Sequence, residues 1–307
     1  MDRIAADKYA HLLHNPKAGD GDHVKADLIN TVASCGFTCQ YSSVKEKGWG
    51  RLKNKATLVV IAGGDGTVRQ VMKKLLARKV LDKRLAVALL PAGTANNFAK
   101  TLGVSGTLAN LEDTIADWNL RHIDIGAIGN LRESKFFLEG MGCGLLSKLI
   151  KEMDERNPSD VETADQELDV ALEKMVEIAE TYRPKRGEIT IDGTVYEGNY
   201  LLVEVLNIKS VGPNLELAPQ ADPSDGKFHV ALLKEADRGA FVTYVRNLRK
   251  QGRKKTMRVP WKLVEASQEI TIRCDNRLIH VDDELIEVRK RQPITVEIRP
   301  GIVDVLV

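Results

Sequence analysis

The 307-residue chain is predicted to be α/β followed by β: an N-terminal parallel-sheet α/β domain, then an antiparallel β-sandwich-like domain. Three observations carry this prediction. Up to about residue 124, buried strand patterns alternate with helical ones, as in a parallel sheet covered by helices. Each of those strands stops at a polar turn, most of them containing glycine. Beyond that point short alternating β patterns dominate, interrupted by one long helical pattern at about 161–182. Domains are therefore expected at 1–124 and 125–307.

In chain order, 9–14 reads as a strand, broken by Asn15-Pro16-Lys17-Ala18-Gly19. Val24, Leu28 and Val32 recur at helical spacing, and Phe37, Cys39 and Tyr41 alternate as in a half-buried strand. Residues 57–62 are a continuous apolar strand. Val68, Val71, Met72, Leu75 and Leu76 form a helical stripe, and 85–90 is another buried strand that Pro91 ends. In open parallel sheets ligands bind beyond the carboxyl ends of the strands, where the breaks after His14, Ala62 and Leu90 fall. The second half offers strand patterns at 136–139, 188–191, 200–206, 228–233, 269–273, 286–289 and 294–299. Asp192-Gly193 is a tight hairpin signal. Leu168, Leu172, Met175, Val176 and Ala179 give the acidic long helix an inner face.

Hydrophobic content of 43% and charged content of 29% are those of an ordinary globular protein. A net charge of +2 supplies no global attraction to nucleic acid or membrane, so an electrostatic partner needs a local patch. The four cysteines lack CxxC or metal-ligand spacing, which fits a reduced compartment. No apolar run reaches the roughly 20 residues of a membrane span, and the acidic start, Asp2 and Asp7, lacks a signal-peptide core. A cytoplasmic protein is expected, peripheral to the membrane if its substrate is a lipid.

Gly63-Gly64-Asp65-Gly66-Thr67 follows a β-branched strand and opens a helix. Glycines there allow φ > 0 and close ligand approach, and amides at the helix N-terminus face an anion. By itself the segment also reads as a tight strand–helix turn with Asp65 as cap. Pro91-Ala92-Gly93-Thr94-Ala95-Asn96-Asn97-Phe98-Ala99 repeats the logic after the next strand, with Thr94 and Asn96 as short hydrogen-bonding side chains. Asn15 to Gly19 repeats it after the first. Three such turns at one sheet edge point to bound phosphate.

These blocks resemble the diacylglycerol kinase catalytic-domain family, which includes bacterial lipid kinases and, more distantly, sphingosine and ceramide kinases. Leu217-Ala218-Pro219 with Asp225-Gly226-Lys227-Phe228 is similar to the family's metal-associated loop. Val281-Asp282-Asp283-Glu284 is similar to its Asp-Gly-Glu segment. The resemblance implies an ATP- and Mg²⁺-dependent lipid kinase with a nucleotide-binding α/β domain, a β-rich lipid-substrate domain and an active site in the cleft between them. It implies that Asn15, Pro16, Gly19 and Ser43 border the nucleotide, that Gly63, Gly64, Asp65, Gly66 and Thr67 cradle phosphates, and that Thr94 and Asn96 contribute from the third turn. Glu284 matches the proton acceptor for the lipid hydroxyl. Asp65 is either base or Mg²⁺ ligand. Asp222, Asp225 and Lys227 match a structural Mg²⁺ loop with oxygen ligands. Diacylglycerol is the expected acceptor; phosphatidylglycerol, ceramide or sphingosine, and a non-catalytic nucleotide- or lipid-sensing relative, are the alternatives.

Two departures bear on this. Asp283 stands where the family has glycine, adding a Cβ where the turn wants φ > 0 and a charge beside Glu284. Arg69 stands where the family usually has Asn, and a cation there is placed to meet phosphate or to perturb the helix start. Arg246, Arg249, Lys250, Arg253, Lys254, Lys255 and Arg258 fall in a stretch without an acid (246–258), with aromatics on either side. That stretch is either a solvated face or a dock for anionic headgroups. No nucleic-acid partner is expected, and a homodimer is left open.

Overall fold

The computed structural model describes residues 8–19, 23–51, 55–77, 84–156, 163–251 and 261–307. The chain divides into two compact units, Met1–Ile123 with Val303–Val307, and Asp124–Ile302. The last residues thus return to the first unit.

In the first unit the elements are β1 (Lys8–His14), α1 (Lys25–Ser34), β2 (Phe37–Ser43), β3 (Ala56–Gly63), α2 (Asp65–Leu76), β4 (Ala86–Pro91), α3 (Asn97–Leu102) and α4 (Leu108–Asp117). The strands pair parallel in the order β2-β1-β3-β4. Asp304 and Val305 add a parallel edge on β4. Ala10, Leu12, Leu58, Val60, Ala88 and Leu90 fill the core with Leu28, Val32, Leu111 and Ile115 from the helices. The α1 stripe is shorter than its spacing suggests. Val24 is the helix N-cap and 61% exposed, so only Leu28 and Val32 face inward. Pro91 is the last residue of its strand rather than the first beyond it, because its fixed φ suits an extended chain at a strand end.

The second unit comprises β5 (Leu120–Gly129, shared at its start with the first unit), β6 (Phe136–Phe137), β7 (Gly140–Gly144), α5 (Leu145–Asp154), α6 (Ala164–Thr181), β8 (Lys185–Ile191) and β9 (Thr194–Leu206). It continues with β10 (Ser210–Val211), β11 (Leu215–Glu216), β12 (Phe228–Lys234), α7 (Arg238–Gln251), β13 (Lys262–Ala266), β14 (Glu269–Cys274), β15 (Leu278–Val281), β16 (Glu284–Glu287) and β17 (Ile294–Leu306). Antiparallel pairing runs β16-β15-β7-β9-β8-β14-β17, with β12 and β13 branching from β9. One apolar cluster packs α5, α6 and α7 over Leu201, Leu202 and Leu206. Another gathers Tyr200, Val203 and Val205 with β14 and β15. β9 therefore feeds both cores by alternation.

Asp192 (φ 45°) and Gly193 (φ 82°) make the expected two-residue hairpin between β8 and β9. Thr163 caps α6 in a capping box with Gln166; positions 161–162 lie outside the described residues. Strands β9 and β17 extend well beyond their sequence patterns, each to 13 residues, and two others are displaced or cut short. The strand expected at 286–289 is Glu284–Glu287, because the register Val281↔Glu284 leaves only Asp282 and Asp283 for the turn. The pattern at 136–139 yields a two-residue strand, since the amides of Leu138 and Glu139 bond the Asp282 carboxylate instead.

Candidate active site

In the first unit three turns pack against one another at the carboxyl ends of β1, β3 and β4. Asn15 N–H donates to Ala62 O at 2.9 Å, and its Nδ2 donates to Thr67 Oγ1 at 3.1 Å. Ala92 N–H donates to Gly63 O at 3.2 Å. A Cβ on Gly93 would lie 2.4 Å from Gly64 Cα, and one on Gly19 would lie 2.4 Å from Ala92 O. Gly64 is extended (φ −87°) and only Gly19 of these has positive φ, 57°. Of the two uses the sequence offers for Gly63, Gly64 and Gly66, left-handed backbone and close approach, none of the three takes the first. What the fold uses at Gly64 and Gly93 is the missing Cβ, which lets two backbones touch.

Asp65 is the first residue of α2, and Gly64 is the cap. Its carboxylate reaches the start of α3, accepting from Asn97 N–H (2.9 Å) and Phe98 N–H (3.2 Å). It thereby satisfies amides left without carbonyl partners at a helix start. Asn96 is left-handed (φ 52°) and closes on Gly93 at both ends, Oδ1 accepting Gly93 N–H (2.9 Å) and Nδ2 donating to Gly93 O (2.6 Å). Ser43 ends β2, buried, with its Oγ accepting Lys45 N–H. Pro16 and Thr94 lie in the same turns, and Gly66 is the second residue of α2. Arg69 is buried at 3% exposure and partnered.

In the second unit Glu284 opens β16 directly after the Asp282-Asp283 turn. The positive φ falls on Asp282 (51°), not on Asp283. The strain expected from Asp283 in place of glycine is therefore absent. Asp282 accepts from the amides of Leu138, Glu139 and Gly140 at 2.9–3.2 Å, and its own N–H donates to Gly140 O. His280, two residues earlier, bonds Asp282 O through Nδ1 and Glu204 Oε2 through Nε2, both at 2.9 Å.

The loop carrying Asp222, Asp225 and Lys227 closes largely on itself. Asp222 Oδ1 accepts Ser224 N–H and Oγ–H, Asp225 Oδ1 accepts Lys227 N–H, and Lys227 Nζ pairs with Glu265 at 3.0 Å. Asp124, unremarked in the sequence, secures the loop by accepting from Gly226 and Gly301 amides at 2.7 Å each. Burial raises its carboxyl above the ordinary range, with Asp225 and Asp222 adding to the rise against those two amides. Among the described residues no group of three or more His, Cys, Asp or Glu side chains is arranged to hold a metal ion. The expected ligands are all oxygen, the donor that Mg²⁺ prefers, but no preformed carboxylate cage is present. Lys227 has only its carbonyl to give.

Asp124, Glu204, Asn207 and His280 are among the buried polar residues that sequence reading missed. The available signal was a carboxylate or imidazole within an apolar strand run, as in Val203-Glu204-Val205 and Ile279-His280-Val281.

Residues 9–128 match the family model of the diacylglycerol kinase catalytic domain, and residues 154–307 match that of the YegS C-terminal NAD kinase beta sandwich-like domain. The chain belongs to the diacylglycerol kinase catalytic-domain family. It is thereby a kinase of the class that transfers phosphate to an alcohol. A diacylglycerol kinase of Bacillus subtilis (strain 168) is 29% identical over 245 residues, covering 76% of this chain and 77% of the relative. One from Staphylococcus haemolyticus (strain JCSC1435) is 24% identical over 238 residues, 75% of this chain and 68% of the relative. A diacylglycerol kinase structure from Bacillus anthracis superposes with a TM-score of 0.73 at 24% identity, covering 97% of this chain and 96% of that one. An NAD kinase from Archaeoglobus fulgidus in complex with ATP gives 0.55 at 12%, covering 97% and 93%. Both structures share the fold. Among the described residues no helix is long and apolar enough to cross a membrane.

Proposed function

We propose that this family member phosphorylates the hydroxyl of diacylglycerol or a closely related lipid, using ATP and Mg²⁺. The observation that carries the reading is the packing of the three turns after β1, β3 and β4, with Gly64 against Gly93 and Asn15 on Thr67. Such an assembly presents backbone at the edge of a parallel sheet and at the N-terminus of α2, where phosphate oxygens are best held. Phosphoryl transfer depends on positioning and charge stabilisation more than on covalent help.

In this reading the Gly63–Thr67 turn holds phosphates, Asn15, Pro16, Gly19 and Ser43 border the nucleotide, and Thr94 and Asn96 shape the third turn. Glu284 accepts the proton from the lipid hydroxyl. Asp65 orients α2 and α3 around the phosphates, and serves as base or metal ligand through lone pairs beyond those its two amide bonds use. Mg²⁺ bound at the 222–227 loop would neutralise charge there, through Asp222, Asp225 and backbone carbonyls.

A peripheral membrane contact is part of the same reading. Within the basic stretch, Arg246 pairs with Glu180, and Arg249 with Asp169 and Glu173 on α6. These cations are already spent on ion pairs, so docking would rest more on Lys250 and on positions 252–258, which lie outside the described residues. A cytoplasmic location follows from the same reading.

Transfer of labelled γ-phosphate to vesicles containing diacylglycerol, phosphatidylglycerol, ceramide or sphingosine, with Mg²⁺ or with chelator, tests the proposal. Label in diacylglycerol that disappears with chelator supports it. Label in another lipid reassigns the acceptor, and ATP binding without label on any lipid supports the sensing alternative.

A further inference from the structure

The buried pair Glu204–His280 lies behind the turn that leads into Glu284. Three strands stand in register here: Glu204 on β9 is opposite Gly142 on β7, and Gly142 is opposite His280 on β15. The middle position has no side chain. A Cβ on Gly142 would sit 2.2 Å from Glu204 Oε2, so glycine is what allows the carboxyl and the imidazole to meet across the intervening strand. Glu204 is 0% and His280 2% exposed.

Hydrogen-bond chemistry fixes the proton inventory. A carbonyl only accepts, so His280 Nδ1 carries a hydrogen and donates it to Asp282 O. The 2.9 Å contact between Nε2 and Glu204 Oε2 then holds one shared proton. With that proton on either atom the pair has no net charge, which suits a dry site. Other ionisable groups around it are the Asp282 carboxylate in the turn and the Cys143 thiol on β7; contact with Cys274 and burial hold that thiol protonated.

Asp282 is therefore gripped twice. The amides of Leu138, Glu139 and Gly140 hold its carboxylate, and His280 holds its carbonyl. Its left-handed φ of 51° is the pivot from β15 into β16. We propose that Glu204 and His280 are positioning residues, an aligned pair that fixes the backbone at Asp282 and so sets the direction from which Glu284 is presented. This rests on the reading of Glu284 as proton acceptor, and it adds the element that aims it.

Two substitutions at one position separate the two bonds of His280. In His280→Gln the amide reaches about as far as Nε2, so it keeps the partner of Glu204 but releases the Asp282 carbonyl. In His280→Asn the amide overlays Nδ1, so it keeps the turn and releases Glu204, which burial then leaves protonated. We expect H280Q to fold, to bind ATP with a KM within about twofold of the parent, and to lose about 10–100-fold in kcat, as a displacement on the order of 1 Å at a reacting group costs. H280N should retain at least about fivefold more kcat than H280Q. Amide hydrogen exchange at 138–140 and 282–284 should quicken in H280Q and change less in H280N.

Equal kcat in the two variants, or unchanged exchange in H280Q, overturns the proposal. Full activity in Glu284→Gln overturns instead the proton-acceptor role. The exchange measurement needs no turnover, so it judges the hold on the turn even in that event, or where H280N proves too unstable to assay.

Discussion

Replacing Gly93 with alanine adds one carbon where two turns touch through their backbones. Gly93 lies outside the left-handed region, so alanine fits its own backbone and the cost is steric. The new Cβ would meet Gly64 Cα at 2.4 Å and Gly64 N at 3.1 Å. An ordinary contact begins near 3.4 Å, so the turns after β3 and β4 must separate by about 1 Å. The closest clash is with backbone, which cannot swing aside, and Asn96 Oδ1 is crowded as well at 3.0 Å. Overpacking of this kind costs about 1–3 kcal/mol in stability. A shift of that size in the groups holding a reacting phosphate costs on the order of 10²-fold in rate. Gly239→Ala is the control, because its Cβ would meet nothing within 4 Å; its stability should stay within about 0.5 kcal/mol of the parent. Urea unfolding gives the stability term, and ATP titration with phosphate transfer to diacylglycerol vesicles gives the functional one. If Gly93→Ala binds ATP and turns over like the parent, the contact between the two turns does not build the nucleotide site, and the reasoning fails.

Asp65→Asn should fold nearly as the parent, since its Oδ1 still accepts one of the two α3 amides, while kcat falls; Asp65→Ala should in addition lose about 1–3 kcal/mol through the unpaired helix start, and equal stability of the two would contradict the capping role. Asp282→Ala removes the acceptor of three amides and the residue that tolerates φ 51°, so it should cost about 3 kcal/mol or more, with Asp282→Asn milder; a neutral alanine variant would refute this. For the pH dependence, burial raises the Glu204 carboxyl; burial is the largest influence on His280 and would lower it, but Glu204 and Asp282 together outweigh it and raise it. The folded pair keeps its shared proton where the unfolded chain, above an ordinary histidine pKa of about 6.5, has none. That contribution to stability is complete below about pH 6.5 and declines by about 1.4 kcal/mol per unit as pH rises, until the folded pair titrates. In Glu204→Gln the amide donates to Nε2 and no extra proton is held, so the difference between the two proteins should narrow from pH 6.5 to 8.5; parallel pH curves would dismiss the shared proton.

Much of the first unit was legible because its signals are local. A short apolar run rich in β-branched residues such as 58–62 reads as a strand buried on both faces, and a polar turn after it marks the sheet's ligand edge. The same holds for Asp192-Gly193, whose dipeptide dictates the hairpin. The reason for the glycines was not legible. Sequence spacing says that Gly64 and Gly93 lack a Cβ, but not that each occupies the place where the other's Cβ would go. Nor does it show that Asp65, read as a cap for its own helix, satisfies another one. β7, with glycine at 140, 142 and 144, carries no strand signal at all. Its glycines are weak strand formers, and pairing with β9 and β15 imposes the extended backbone.

The sequence by itself determined the fold class, the three turns and the family, because apolar periodicity and turn chemistry act between near neighbours in the chain. Tertiary structure alone decided which backbone contacts the glycines serve and that Asp282 rather than Asp283 takes the left-handed turn. It also decided that the last five residues join the first unit and that Glu204 meets His280 across Gly142. Those are matters of register between strands up to 218 residues apart in the chain, and register is fixed by packing two faces at once, which no local pattern encodes.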